Sequence, residues 1–103
     1  MPEKGFLYKI AIPTLDGETI ASSALAAPYI LLFNVNNRSY QLAEKLKRTV
    51  DESELSEIIL NTKANAIFLT EEDEMEVSGC QPVRYPAGKA ISDALFEFIQ
   101  EIN

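Results

Sequence analysis

The sequence contains no histidine and no tryptophan, and it has one cysteine among its 103 residues. The absence of histidine excludes Ser-His-Asp catalysis, histidine general bases and histidine-ligated zinc. The single cysteine excludes an intrachain disulfide and a cysteine-rich metal cage. The hydrophobic content of 47% and the charged content of 24% are typical of a globular protein. Composition therefore predicts one small domain over residues 1–103 and indicates no activity.

Long hydrophobic runs are also missing. The most apolar stretch, residues 24–35, is interrupted by Pro28 and is too short to span a bilayer. The N-terminal residues do not combine a basic segment with an apolar one, as a secretory signal does. We therefore expect a cytoplasmic protein that does not enter a membrane.

The charge is strongly acidic, with 9 basic against 16 acidic residues and a net charge of −7. Five carboxylates are concentrated in one six-residue run: Glu71, Glu72, Asp73, Glu74 and Glu76. Such a surface repels phosphate, so we do not expect nucleic acid as a partner. Runs of like charge are most often solvated faces. The functional alternative is that this run binds a protein partner that has a basic surface.

Hydrophobic patterning predicts the order of the elements. Three strands come first, at residues 6–12, 29–35 and 39–46, and form an antiparallel meander. A helix that begins at Asp51 follows, with a capping pattern at its start, and then a short buried strand at residues 66–69. A last strand at residues 83–85 lies between two prolines. The fold class is therefore α/β, with a mixed sheet of about five strands.

The last helix has the clearest pattern in the sequence. Its apolar residues recur at helical spacing: Ile91, Ala94, Leu95, Phe98, Ile99 and Ile102. Together with the helix after Asp51 it makes two main helices. The sheet edges at residues 39–46 and 83–85 are free to pair with another copy, so both a monomer and a homodimer are open.

Two short motifs resemble those of a known family. Residues 9–14 (KIAIPT) and residues 27–30 (APYI), which lead into an apolar strand, are similar to segments of the dinitrogenase iron-molybdenum cofactor biosynthesis family. The likeness extends through the later helices and strands over nearly the whole chain. The resemblance implies a ribonuclease H-like fold and a role as a cofactor carrier or accessory protein. It also implies an iron–sulfur or iron–molybdenum cluster as the cofactor.

The resemblance also points to candidate ligand positions. Ser23 stands where members of the family usually carry a histidine, and Leu25 stands where they carry a glycine. Cys80 is the only soft ligand in the chain, and its alternative interpretation is a buried, inert thiol. We therefore take Ser23 and Cys80 as the candidate cofactor-binding residues of a member that is degenerate at its cluster site.

The sequence leaves three functional hypotheses. The first is a non-enzymatic accessory protein related to cofactor carriers. The second is an acidic protein-interaction module. The third is a domain that binds a small molecule or an anion at the carboxyl ends of its strands. A metal-dependent nuclease is disfavoured, because that chemistry needs a carboxylate in the first strand and residues 6–12 contain none.

Overall fold

The computed structural model describes residues 7–47, 52–74, 77 and 79–102. Asp51 and Glu76 lie outside the described residues. The elements follow one another as β1 Tyr8–Thr14, β2 Tyr29–Val35, β3 Tyr40–Lys47, α1 Glu52–Thr62, β4 Ala66–Thr70, β5 Gln81–Tyr85 and α2 Ile91–Ile102.

The five strands form one mixed sheet in the order β3-β2-β1-β4-β5. The first three strands pair antiparallel, whereas β4 pairs parallel with both β1 and β5. The predicted α/β fold, with its meander, two parallel strands and two helices, is confirmed. The chain adds strands on one side of β1 first and then on the other, so β1 lies at the centre of the sheet.

Helix α2 covers one face of the sheet through an aromatic cluster. The Phe98 ring meets Tyr8 of β1 edge-on with 5.1 Å between centroids, and it lies 5.7 Å from Phe68 of β4. Phe68 in turn contacts the ring of Tyr85, whose hydroxyl donates a hydrogen bond to the Ala94 carbonyl. Edge-on aromatic pairs of this kind add to the stabilisation that burial alone provides. The predicted apolar stripe of α2 therefore packs on β1, β4 and β5.

The opposite face is covered by α1 and by parts of the connecting loops. Ile59 of α1 is buried in a second apolar cluster with Ile30 and Leu32 of β2 and Ile67 of β4. Because β2 contributes to both clusters, its run of apolar residues is buried on both faces, as a strand inside a sheet requires. The two faces thus have separate cores.

Strands β3 and β4 differ from their predicted bounds by one residue, and two boundaries that the prediction sets at a proline differ by two residues. Strand β1 continues through Pro13 to Thr14, and β5 begins at Gln81 and includes Pro82. Proline lacks the N–H that a ladder needs, so the sequence predicts that the first strand ends before Pro13 and that the last strand begins after Pro82. The structure accommodates Pro82 because β5 is an edge strand that pairs with β4 alone. Pro13 lies beyond Ala11, the last β1 residue that pairs with β4.

The connection from β4 to β5 is short for a parallel crossover. Its described residues contain no helix, and parallel strands are usually joined by a dozen residues or more. Instead, a tight turn closes with a hydrogen bond from the Cys80 N–H to the Val77 carbonyl at 3.1 Å. Both residues pack into the cluster beneath α1. Two side chains of this connection therefore contribute to the core beneath α1.

Helix α1 has 11 residues and α2 has 12. Neither of these described helices combines the length and the apolar character needed to cross a bilayer.

Adjacent residues of α1 provide a matched test of the second core. Ile59 is 1% exposed and Leu60 is 53% exposed. We expect Ile59→Ala to lower the free energy of unfolding by about 2–5 kcal/mol because it leaves a cavity. We expect less than about 1 kcal/mol for Leu60→Ala, which removes a largely solvated side chain. Urea denaturation of both variants measures the difference, and equal losses would contradict this packing.

Candidate functional site

The candidate site lies where β1 and β4 separate at their carboxyl ends. These strands pair at Ile10 with Ala66 and at Ala11 with Ile67. The order of the strands also reverses here, because β2 and β3 lie on one side of β1 while β4 and β5 lie on the other. In open α/β sheets, ligands bind in the crevice at such a point. This is therefore the first place to look for a binding site.

The chain fills this crevice with one of its own loops, residues 20–24, which we call the wedge loop. The Ala21 N–H donates a hydrogen bond to the Pro13 carbonyl of β1 at 2.9 Å. On the other side, the Thr70 hydroxyl of β4 donates to the Ser22 carbonyl at 3.0 Å. Ala21 and Ala24 are buried, as is Thr70. The wedge loop therefore bridges the two strand ends and occupies the usual ligand position.

The turn that precedes the wedge loop is held by two side chains. The buried Thr14 hydroxyl donates to the Thr19 carbonyl at 2.7 Å and accepts from the Gly17 N–H at 2.9 Å. An Asp16 carboxylate oxygen accepts from the N–H groups of Glu18 and Thr19 at 2.8 and 3.0 Å. Hydrogen bonds from these backbone groups lower the pKa of Asp16. Asp16 therefore has a structural role in the turn.

Residues 18–20 also attach to the start of α2. The Ile20 N–H donates to the Lys89 carbonyl at 3.0 Å, and the Ile91 N–H donates to the Glu18 carbonyl at 2.8 Å. The loops that follow β1 and β5 are thereby joined. Together with the wedge loop, these bonds hold the carboxyl ends of the strands in one arrangement.

The acidic run begins at the end of β4 and is fixed to the wedge loop. The Asp73 carboxylate accepts a hydrogen bond from the Ala24 N–H at 2.7 Å. The Arg84 guanidinium of β5 donates to the Thr70 carbonyl at 3.3 Å and to the Asp73 carbonyl. Asp73 is half-buried. One member of the acidic run is therefore used to position the segment.

The remaining described carboxylates of the run, Glu71, Glu72 and Glu74, are exposed, and we call them the acidic surface. Ser23 is also exposed, and it lies directly before the residue that donates to Asp73. The structure thus brings Ser23 and the acidic run together at one end of the sheet. The sequence gives no signal for this proximity, because the bond between Ala24 and Asp73 joins residues 49 positions apart.

Cys80 lies at the opposite end of the sheet. It precedes Gln81, which pairs with Ala66 at the start of β4, whereas the acidic run follows Thr70 at its end. Four residue steps along β4 separate these levels, a distance of roughly 13 Å. Cys80 is 7% exposed within the cluster beneath α1. Desolvation by burial raises the pKa of its thiol to about 11.

These donors do not fit a metal cluster on a single chain. A cluster ligand must be a thiolate, whereas burial favours the protonated thiol of Cys80. Ser23 lies at the other end of β4 and cannot complete a site with it. Across the described parts of the chain, no three Cys, Asp or Glu side chains converge in a way that could hold a metal ion. Among the described residues, the two candidate ligands Ser23 and Cys80 therefore do not form one cluster site.

Comparisons with known proteins place the fold among solved structures. No protein-family model matches the chain, and no curated protein sequence matches it significantly. The structure of a protein named PH0822 matches with a TM-score of 0.72 and 16% identity, over 90% of this chain and 89% of that one.

A second structural match is a protein from Methanocaldococcus jannaschii described as a "putative dinitrogenase" (MJ0327). Its crystal structure matches with a TM-score of 0.64 and 16% identity, over 91% of this chain and 89% of that one. Its NMR structure matches with a TM-score of 0.59 and 20% identity, over 94% and 91%. The chain therefore shares the fold of a dinitrogenase-like small domain, as the resemblance implies. Membership of the cofactor biosynthesis family stays a prediction.

The burial of Cys80 leads to a reactivity prediction. At pH 8 we expect the folded protein to react with Ellman's reagent at least about a hundredfold more slowly than the unfolded chain, because a rise of two pKa units lowers the thiolate fraction by that factor. Rapid modification of the folded protein would contradict the buried position.

The folded thiol of Cys80 retains its proton from about pH 9 to 11, while the unfolded thiol loses it. This group therefore makes the free energy of unfolding fall as pH rises through that window.

The bond between Asp73 and Ala24 leads to a stability prediction. We expect Asp73→Ala to lower the free energy of unfolding by about 1.5–3 kcal/mol, because it removes a hydrogen bond to a charged acceptor and leaves the N–H of buried Ala24 without that partner. Glu72→Ala is the matched control, because it removes an exposed carboxylate of the same run, and we expect about 0.5 kcal/mol or less. Chemical denaturation measures both. Similar losses for the two variants would refute the positioning role of Asp73.

Proposed function

We propose that this protein is a non-enzymatic accessory domain that binds a protein partner through the acidic surface. The observation that carries the proposal is that the carboxylates of the acidic run lie in two different environments. Asp73 anchors the segment to the wedge loop, and Glu71, Glu72 and Glu74 remain in solvent beside it. A partner with clustered lysine and arginine side chains has the complementary charge.

The fixed conformation of this segment supports binding rather than simple solvation. A flexible acidic loop loses conformational freedom when it binds, and that loss opposes association. Here the hydrogen bonds from Ala24 and Arg84 already order the segment in the free protein. Three carboxylates within four residues also raise the local negative potential, which accelerates encounter with a basic partner. Both effects favour a specific surface.

The fold comparison supports an accessory role. One structural neighbour is described as a "putative dinitrogenase", and the sequence resemblance points to the assembly of nitrogenase cofactors. We therefore place the function in binding and delivery among proteins of such a system, and we do not propose a resident cluster on one copy.

The proposal is tested by moving the neutralised charges and keeping their number. The first variant combines Glu71→Gln, Glu72→Gln and Glu74→Gln. The matched control combines Glu44→Gln, Glu57→Gln and Glu101→Gln, three exposed positions elsewhere on the surface, and carries the same net charge.

We expect immobilised wild-type protein and the control to capture the same basic partner from native extract at low salt. We expect the acidic-surface variant to lose it, and high salt to release it, because salt screens exposed charges. Equal loss with both variants would show that only net charge matters and would refute the proposed surface. Capture that does not depend on salt would also refute it.

A further inference from the structure

A groove runs along α2 on the face of the sheet that this helix covers only in part. Its volume is about 400 Å³, and Phe33, Tyr40, Ile91 and Leu95 line it together with the polar residues Glu18 and Ser92. Helix α2 packs on β1, β4 and β5 and shares its apolar cluster with Phe33 of β2, so only the strip formed by β3, whose side chains are mostly exposed, is left open beside it. The groove follows this boundary.

Two exposed apolar side chains lie on the open strip. Tyr40 is 40% exposed and contacts the Phe33 ring edge-on at 5.7 Å, and Leu42 is 50% exposed and pairs with Phe33 across the strands. Paired residues point to the same face of a sheet, so both side chains stand on the groove side. Strand β3 therefore presents apolar groups to solvent where α2 ends its coverage.

A third exposed apolar side chain stands on the other side of the groove. Phe96 of α2 is 61% exposed, although its neighbour Leu95 is fully buried. Residues four apart lie on the same flank of a helix, so Phe96 follows Ser92 along the flank that borders the groove. The surface thus carries a protruding aromatic ring directly beside an apolar hollow.

We propose that a second copy of this chain covers this face and that Phe96 of each copy inserts into the groove of the other. A two-fold symmetric interface uses the same patch on both subunits, so it must hold both a protrusion and the matching hollow. This face holds both. Buried aromatic side chains in pockets are the usual anchors of such interfaces. We call the patch of Tyr40, Leu42, Phe96 and the groove the dimer face.

Charge on the two sides of the dimer face is complementary. Lys45 and Lys47 are exposed on β3 and pair with Leu31 and Tyr29, which places them on the groove side. Asp93 is exposed one helical turn before Phe96. When two copies meet about a two-fold axis that runs along the groove, as insertion of each Phe96 into the opposite groove requires, the basic side of each approaches the acidic side of the other. Opposite charges at the border then favour this pairing over other orientations.

The sheet edges do not favour the alternative of strand pairing between copies. The pairing of β3 with β2 shifts in register opposite Leu32 and Phe33 of β2. Ala43 of β3 is therefore an extra residue that bends the edge. In β5 the edge includes Pro82, which cannot donate to a ladder. Bulges and prolines are the devices that keep sheet edges unpaired. The dimer face, by contrast, needs no backbone pairing.

The oligomeric state of the chain in solution tests the proposal. Sedimentation velocity at protein concentrations up to about 200 µM should give twice the chain mass of 11.5 kDa. Phe96→Ser should raise the dimer dissociation constant at least about thirtyfold, the factor expected for an anchor side chain. Leu60→Ser is the matched control, since Leu60 is a similarly exposed apolar residue on the helix of the other face, and it should leave the dimer unchanged.

Photo-cross-linking identifies the contact itself. A benzophenone amino acid at position 96, in a mixture of ¹⁴N- and ¹⁵N-labelled protein, should give mixed-isotope cross-links to the peptide that contains Phe33 and Tyr40. The proposal is overturned by a wild-type monomer at the highest concentration, including one whose groove binds a small molecule instead. A dimer that Phe96→Ser does not weaken, or cross-links that form only within one copy, would overturn it as well.

Discussion

The separation of β1 and β4 at their carboxyl ends is the constraint on which the rest of the structure depends. Two parallel strands that part leave backbone groups without partners in the middle of a sheet, and such groups are unfavourable unless they are satisfied. The wedge loop meets this need through Pro13 and through the hydroxyl of Thr70. The turn before it and the acidic segment after β4 are both attached to this loop. One local requirement therefore organises the described loops that follow β1, β4 and β5.

This arrangement changes the kind of function that the fold supports. In related sheet architectures the crevice between diverging strands accepts a ligand. Here the wedge loop occupies that crevice, and the carboxylates of Glu71, Glu72 and Glu74 are exposed beside it. Cys80 is the only cysteine, and it is buried at the far end of the sheet in the cluster beneath α1. These positions agree with the surface recognition that we propose.

The local patterns of the sequence predict most of the fold, whereas the site depends on contacts between distant residues. The stripe of α2 and the apolar runs of the strands follow from periodicity, because burial selects residue types one by one. The hydrogen bond between Ala24 and Asp73 joins two loops that have no hydrophobic periodicity, so no sequence motif predicts it. The burial of Cys80 likewise depends on how the short connection after β4 folds back under α1. The start of β5 lies before the predicted one because an edge strand tolerates Pro82.

The order of the strands also has a consequence for biosynthesis. The β1–β3 meander is complete at Lys47, yet both helices and the inner strand β4 come later in the chain. The 55 residues from there to Ile102 take roughly 3–11 s to synthesise at about 5–20 residues per second. Until both helices have been synthesised, β2, which is apolar on both faces, lacks at least one of its covering layers. The nascent meander therefore exposes apolar surface during synthesis, the stage at which chaperones act on such surface.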